Sequence, residues 1–197
     1  MEVITTHTKV YPFEELSDAG KEKAREWWRE ASMHDEWWDA TYEDAKTIAA
    51  IMGIEIDDIN FSGFWCQGDG AQFTGSYSYV KGSVKKLKDH AGNDKVLHGI
   101  VEDLAAFQKR FFYTVTATVK SSGHYSHEYC TEIFVEDQRG DLSHEDDSEL
   151  AEILRRFMKW IYRQLEAEYD YQNSDETVEE NIKCNEYQFK ENGSIFI

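Results

Sequence analysis

The sequence has little of the punctuation that divides chains. Pro12 is the only proline among 197 residues, and no Ser/Gly-rich or low-complexity stretch interrupts the rest. Nothing marks a linker, and 41% hydrophobic with 14% aromatic content supplies enough apolar surface for one substantial core. One domain over residues 1–197 is therefore expected. Cysteine is scarce too: Cys66, Cys130 and Cys184 lie far apart without a CxxC pair, which excludes a disulfide framework or zinc ribbon and predicts reduced thiols. No apolar run reaches the ~18 residues that span a bilayer, and the opening MEVITTHTKVYPF lacks the basic and apolar regions of a signal peptide. A cytoplasmic protein without a membrane partner is expected. The deficit with most consequence is positive charge. Against 39 acidic residues stand 21 basic ones, a net −18 that repels bare nucleic acid and anionic membranes. Direct contact with DNA or RNA is not expected.

What is present alternates at short intervals. A strand is read over Val3–Tyr11, followed by a helix whose start combines Ser17 or Asp18 as cap with Phe13 and Leu16 as staple, running to Ser32. A second helix opens at Asp35 and closes at Gly53, with Trp38, Tyr42, Ala45, Ala49 and Met52 on one face. Ile54, Ile56, Ile59, Phe61 and Trp65 repeat with a period near two, irregular at Asp57 and Asp58. Phe73, Gly75, Tyr77 and Tyr79 alternate with polar residues as the hairpin partner. Val96, Ile100, Leu104, Phe107 and Phe111 make another helical stripe, leading into the strand FFYTVTATVK, the turn SSGH and the return strand YSHEYCTEIFVED. The longest helix carries Leu150, Ile153, Leu154, Phe157, Trp160, Ile161 and Leu165, with Ser148 as its cap; Ser174 caps a further one. Residues 191–197 read equally as part of a short last strand or as a loose tail. The sum is an α+β single domain: an antiparallel sheet of two hairpins plus the N-terminal strand, with helices packed mainly on one face.

Several groups invite chemistry. The glycine-rich stretch NFSGFWCQGDGAQFTG passes from strand to strand without Lys or Arg, so it meets neither the Walker pattern nor GxGxxG. Gly68, Asp69 and Gly70 suit a tight hairpin turn, since Asp-Gly tolerates positive φ. Whether Trp65, Gln67 and Asp69 protrude as a contact surface stays open. Cys66 is read as a half-buried structural thiol rather than a nucleophile, because the surrounding negative charge disfavours a thiolate. His124, His127 and Cys130 are acceptable zinc ligands, but on a strand residues three apart point to opposite faces and no fourth ligand has recognisable spacing. No EF-hand loop is present, and no metal or other cofactor is expected. Of the paired tryptophans, Trp27/Trp28 and Trp37/Trp38, one of each pair is expected in the core, since neighbours on a helix differ by about 100°.

Charge is segregated along the chain. From Glu14 to Asp58 stand 14 acids and 5 bases, from Glu136 to Ile197 17 acids and 7 bases, but from Lys81 to Lys120 4 acids and 8 bases. Asp141, Glu145, Asp146, Asp147 and Glu149 lead into the long helix, and Asp175, Glu176, Glu179 and Glu180 begin the next. Acids at helix starts are favoured by the macrodipole, which gives part of each cluster a structural cause. The functional reading is that these nine carboxylates contact a basic partner by imitating the phosphates of a duplex.

Three stretches, YPFEELSDAGKEKARE, INFSGFWCQGDGAQFTG and WIYRQLEAEYDYQNSDETVEENIKCNEYQF, resemble a family of bacteriophage and prophage accessory proteins whose activity is not settled, some labelled antitoxin-like. The resemblance implies a non-enzymatic inhibitor of host defence, an anti-CRISPR or anti-restriction protein acting as a DNA mimic in the host cytoplasm. Two alternatives are carried with it. One is an antitoxin-like protein that neutralises a toxin by direct binding. The other is a small-molecule or metal-dependent enzyme using the turn from Cys66 to Gly70 with His124 or His127. Self-association stays open.

Overall fold

The computed structural model describes residues 1, 4, 7–32, 36–123, 125–140 and 142–196. In chain order the elements are β1 (Tyr11–Pro12), a 3-10 turn (Phe13–Glu15), α1 (Asp18–Ser32), α2 (Asp39–Met52), β2 (Ile54–Phe61), β3 (Ala71–Ser78), α3 (Ser83–His90), α4 (Lys95–Arg110), β4 (Val115–Ser121), β5 (Thr131–Asp137), α5 (His144–Asn173), α6 (Asp175–Cys184) and β6 (Gln188–Phe189). The chain is an α+β single domain. Its contacts gather in two compact units, Trp38–Glu166 and the pair of chain segments Met1–Trp37 with Ala167–Ile197.

In the unit Trp38–Glu166 the sheet runs β2-β3-β4-β5, antiparallel throughout, and consists of the two expected hairpins. Alternation along β4 sorts its faces: Val115, Ala117 and Val119 are buried, whereas Thr116, Thr118 and Lys120 are exposed. Helices cover the apolar face. Phe73 of β3 meets Phe157 of α5 edge to face at 6.0 Å, and the buried Gln108 of α4 donates its amide to the Val115 carbonyl at 2.7 Å. Burial pushes the phenol of the neighbouring Tyr77 up to about 12. The seven residues foreseen on the α5 stripe are all buried.

The expected irregularity at Asp57 and Asp58 is a bulge, a register shift between Ile56 and Asp58. It brings the backbone of β2 onto β3 opposite Gly75, which has φ +150°, and a Cβ there would lie 1.9 Å from the Glu55 carbonyl oxygen. Only glycine fits that approach.

The unit built from the two chain ends closes on Phe13, Leu16, Ala24, Val178, Ile182 and Phe189, flanked by Trp27, Trp28 and Tyr187. Ser17 Oγ accepts from the Gly20 amide at 3.2 Å and so caps α1, and Ser174 Oγ accepts from the Thr177 amide at 3.3 Å at the head of α6. Both caps are the ones read from sequence. The C-terminal stretch folds back: Phe189 bridges Ile195, and the Phe196 amide donates to the Gln188 carbonyl at 2.8 Å. The last strand is Gln188–Phe189, and the residues after 190 join it through that single bridge.

Other expectations need correction. The N-terminal strand is two residues long and pairs with β6 in a separate small sheet, because residues 7–10 find no ladder partner; Val3 lies outside the described residues. α2 starts at Asp39 after a turn at Trp37–Trp38, and the expected start Asp35 is outside the described residues. The α4 face is rotated by one position. Val96 is 45% exposed while Leu97, Val101 and Gln108 are buried with Ile100, Leu104 and Phe107. α3 was not foreseen, having only Val84 and Leu87 to mark an apolar face. α5 begins at His144, capped by Ser143 rather than Ser148, whose hydroxyl instead donates back to the His144 carbonyl at 2.9 Å. The four paired tryptophans are half-buried, none fully inside; Trp160 of α5 is the core tryptophan.

Gly75→Ala is expected to destabilise the fold by about 2–3 kcal/mol, since it adds both overpacking and a disfavoured φ. Urea unfolding of the two proteins measures this, and an unchanged midpoint would remove the close-approach account of the bulge.

Candidate functional site

The loop between β2 and β3 is nine residues, 62–70, not a tight turn at Asp69-Gly70. Strand pairing stops at Phe61↔Ala71, so Trp65 falls outside the alternation that suggested a longer strand. Ser62 closes the loop base. Its amide donates to the Gly70 carbonyl at 3.1 Å and its hydroxyl accepts from the Gly70 amide at 3.3 Å. Within the loop, Asp69 Oδ2 accepts from the Cys66 amide at 2.7 Å, and the positive φ values fall on Trp65 (69°) and Gly68 (94°). Gly70 is needed for a different reason: a Cβ would meet His127 Cδ2 at 2.8 Å, so the next hairpin loop packs directly on it.

Sequence reading left open which of Trp65, Gln67 and Asp69 protrude. Trp65 is 69% exposed and Gln67 is exposed, whereas Asp69 is half-buried and holds the loop. A bulky non-glycine residue in the left-handed region costs on the order of 1 kcal/mol, and such outliers persist where surrounding contacts impose them. Cys66 corrects the expectation of a half-buried thiol. It is exposed, because the turn it occupies lies beyond the ladder.

The aromatic surroundings of this loop were not legible beforehand. Phe64 lies 5.5 Å from Tyr162 of α5, whose hydroxyl donates to the Gly63 carbonyl at 3.3 Å. Phe61 gathers Trp38 and Tyr42 at 5.7 and 6.4 Å. Burial, with Asp58 and Asp39 nearby, pushes the Tyr42 phenol up to about 12. On the adjoining loop Tyr125 and Tyr129 are 71% and 61% exposed, and Arg155 stacks over the Tyr129 ring at 5.2 Å. The one available signal was the pair of tyrosines in HYSHEY, flanking a turn where no core could take them.

His127 and Cys130 sit in this loop rather than on the return strand, which begins at Thr131. His127 Nδ1 accepts from the Tyr129 amide at 3.2 Å and lies 3.4 Å from Glu128. His124 lies outside the described residues. Among the described residues no three His, Cys, Asp or Glu side chains are grouped to hold a metal ion.

The candidate carboxylates divide by what holds them. Asp141 is outside the described residues. At the start of α5, Asp146 Oδ2 accepts from the Ser143 amide and hydroxyl at 3.0 and 2.6 Å while its own amide donates to Ser143 Oγ at 3.2 Å, a reciprocal capping box. These bonds, with Arg110 nearby, hold the Asp146 carboxyl below the usual range. Arg110 also takes Glu149 at 2.6 Å. On α6, Asp175 is gripped by Arg29 at 2.5 Å and Glu179 by Arg25 at 2.7 Å and Lys183 at 3.2 Å. The hydrogen bonds that Arg25 donates to the carboxylates of Glu22 and Glu179 raise its guanidinium above its ordinary value. Glu145, Asp147, Glu176 and Glu180 take no ion pair among the described residues.

Residues 37–175 match the family model described as Domain of unknown function (DUF8835). The chain belongs to this family. No curated protein and no solved structure matches it. The DUF8835 match contains the whole unit Trp38–Glu166, including the loop 62–70 and the acids at the start of α5, and stops at Asp175. No helix among the described residues is long and apolar enough to cross a membrane.

Two outcomes follow from this geometry. Trp65→Ala is expected to change unfolding free energy by less than about 1 kcal/mol, as for other exposed positions, so that any loss of binding reads as contact rather than folding. Equilibrium denaturation checks it. Asp146 is lower in the folded than in the unfolded state, so its stabilising contribution is complete above the ordinary carboxylate value of 3.8 and is lost as pH falls through the lower folded value. Ser143→Ala is therefore expected to lower Tm by about 2–4 °C at neutral pH and to flatten the acid limb of a Tm-against-pH curve.

Proposed function

We propose that this DUF8835 protein is a non-enzymatic, acidic phage-borne inhibitor that acts in the host cytoplasm. Its target is a basic nucleic-acid-binding surface of a host defence complex, of the anti-CRISPR or anti-restriction kind, occupied by imitation of DNA charge. The observation that carries the reading is the surplus of carboxylates. In a chain of net −18, Glu145 and Asp147 in the first turn of α5, Glu176 in the first turn of α6 and Glu180 one turn further on have no cation partner among the described residues, beside neighbours that do have one. Ion-paired Asp175, Glu179 and Glu149, together with the capping Asp146, serve the fold first, which narrows the contact set from nine carboxylates to these four and Asp141. Coulomb attraction toward a basic groove accelerates encounter and weakens with salt.

A second reading, antitoxin-like neutralisation of a toxin by surface contact, is favoured by a separate observation. Trp65, Tyr125 and Tyr129 are exposed on two touching hairpin loops, and exposed aromatics are the usual anchors of a protein interface.

Capture from host lysate at low and high salt tests both. The tagged chain is compared with Trp65→Ala and with a variant carrying Glu145→Gln, Asp147→Asn, Glu176→Gln and Glu180→Gln. The first reading expects a nuclease or CRISPR component that is lost at high salt and lost with the acid variant. Retention by the acid variant with salt-insensitive capture that Trp65→Ala abolishes would replace it with the second.

A further inference from the structure

The unit formed by the chain ends contains a cavity of about 100 Å³ with a chemistry unlike the rest of the surface. Three aromatic side chains, Trp28, Trp37 and Tyr169, line it together with three primary amides, Gln172, Asn173 and Asn181. In a chain with 30% charged residues, no charged side chain among the described residues contributes to the lining. The neighbouring charges are committed elsewhere: Arg29 holds Asp175, and Glu168 accepts from Gln172 Nε2 at 2.7 Å.

The rigid parts of this cavity are fixed by the fold. Trp37 meets Tyr169 edge to face at 5.6 Å, and Trp28 packs on Trp27 and Tyr187 at 6.2 and 5.7 Å. Asn173 is anchored through its Nδ2, which donates to the Tyr169 carbonyl at 2.8 Å, and through its carbonyl, which accepts from Arg29 Nε at 3.1 Å. Those bonds leave Gln172 Oε1, Asn173 Oδ1 and the whole Asn181 side-chain amide without a hydrogen bond among the described residues. Unfilled acceptors and an amide carrying both a donor and an acceptor therefore stand beside aromatic rings.

We infer that this cavity binds a neutral nucleobase, presented as a free base or nucleoside. An apolar cavity of about 150 Å³ accepts benzene, so this smaller space, open to water on one side, takes one ring and edge of a base and leaves the rest of the base and its sugar outside. Aromatic side chains offer base-stacking surfaces. Asn and Gln amides pair with the adjacent donor and acceptor on a base edge, as they do with adenine. The neutral lining and the −18 net charge both act against a phosphorylated ligand. None of the residues of the acidic contact set lines this cavity.

Isothermal titration and saturation-transfer NMR on the full chain decide the matter, using adenosine, guanosine, cytidine and uridine, with AMP and glucose alongside. Saturable binding of at least one nucleoside is expected, weakened tenfold or more by Asn181→Leu and by Gln172→Leu in proteins whose circular dichroism and Tm match the parent. AMP is expected to bind more weakly than adenosine. The proposal is overturned by no saturation with any nucleoside, by glucose binding as tightly, by AMP binding more tightly than adenosine, or by both amide variants keeping the parent affinity.

Discussion

Burial of one face of α5 is the interaction on which the unit Trp38–Glu166 depends. Leu150, Leu154, Phe157, Ile161 and Leu165 have no exposed surface, and side chains of that size each gain about 1.5–3 kcal/mol from complete burial. Once Phe157 is set against Phe73, the polar flanks of the same helix have fixed neighbours. Arg156 reaches Asp103 of α4 at 2.5 Å, Trp160 Nε1 donates to the N-cap carboxylate Asp94 at 2.7 Å, and Tyr162 braces the glycine-rich loop. The capping of α4 and the pose of the loop that presents Trp65 thus follow from the placement of one helix.

The acidic surplus has to be read in two layers. Carboxylates at helix starts satisfy free amides and interact with the macrodipole, and here they also neutralise Arg25, Arg29 and Arg110. Asp146 and Asp175 are therefore structural groups before they are contact groups, although along the sequence they are indistinguishable from Glu145 and Glu176. The bases that bind them are local or remote in sequence: Glu22 is three residues from Arg25, whereas Asp175 is 146 residues from Arg29. Charge counted over windows of sequence reports only the first kind.

Much of the fold was legible because it is written in periodicity and caps. The α5 stripe, the two hairpins, the bulge at Asp57 and Asp58, and the caps at Ser17 and Ser174 depend on neighbours within a few residues, and they appear where the pattern put them. Elements fixed by distant partners were not legible in the same way. β1 pairs with β6 from the other end of the chain, the α4 face turns by one residue to bury Gln108 against Val115, and α3 is held by packing with few apolar residues to announce it. The same division runs through the candidate site. Asp69 and Gly70 looked like a two-residue turn because their intrinsic preferences allow it; instead Asp69 holds the Cys66 amide, and Gly70 is small because His127 lies against it.

The sequence by itself determined the fold class, the strand and helix periods, the caps at Ser17 and Ser174 and the large negative charge, since each is set by local residue chemistry or by composition. Only the tertiary structure decided which carboxylates are spent on Arg25, Arg29 and Arg110, that Trp65 and Gln67 stand out while Asp69 turns in, and that Trp28, Trp37 and Tyr169 meet three amides around one cavity. Those outcomes rest on contacts between residues far apart in the chain. Side-chain direction, burial and pairing at such contacts come into being only when the elements pack.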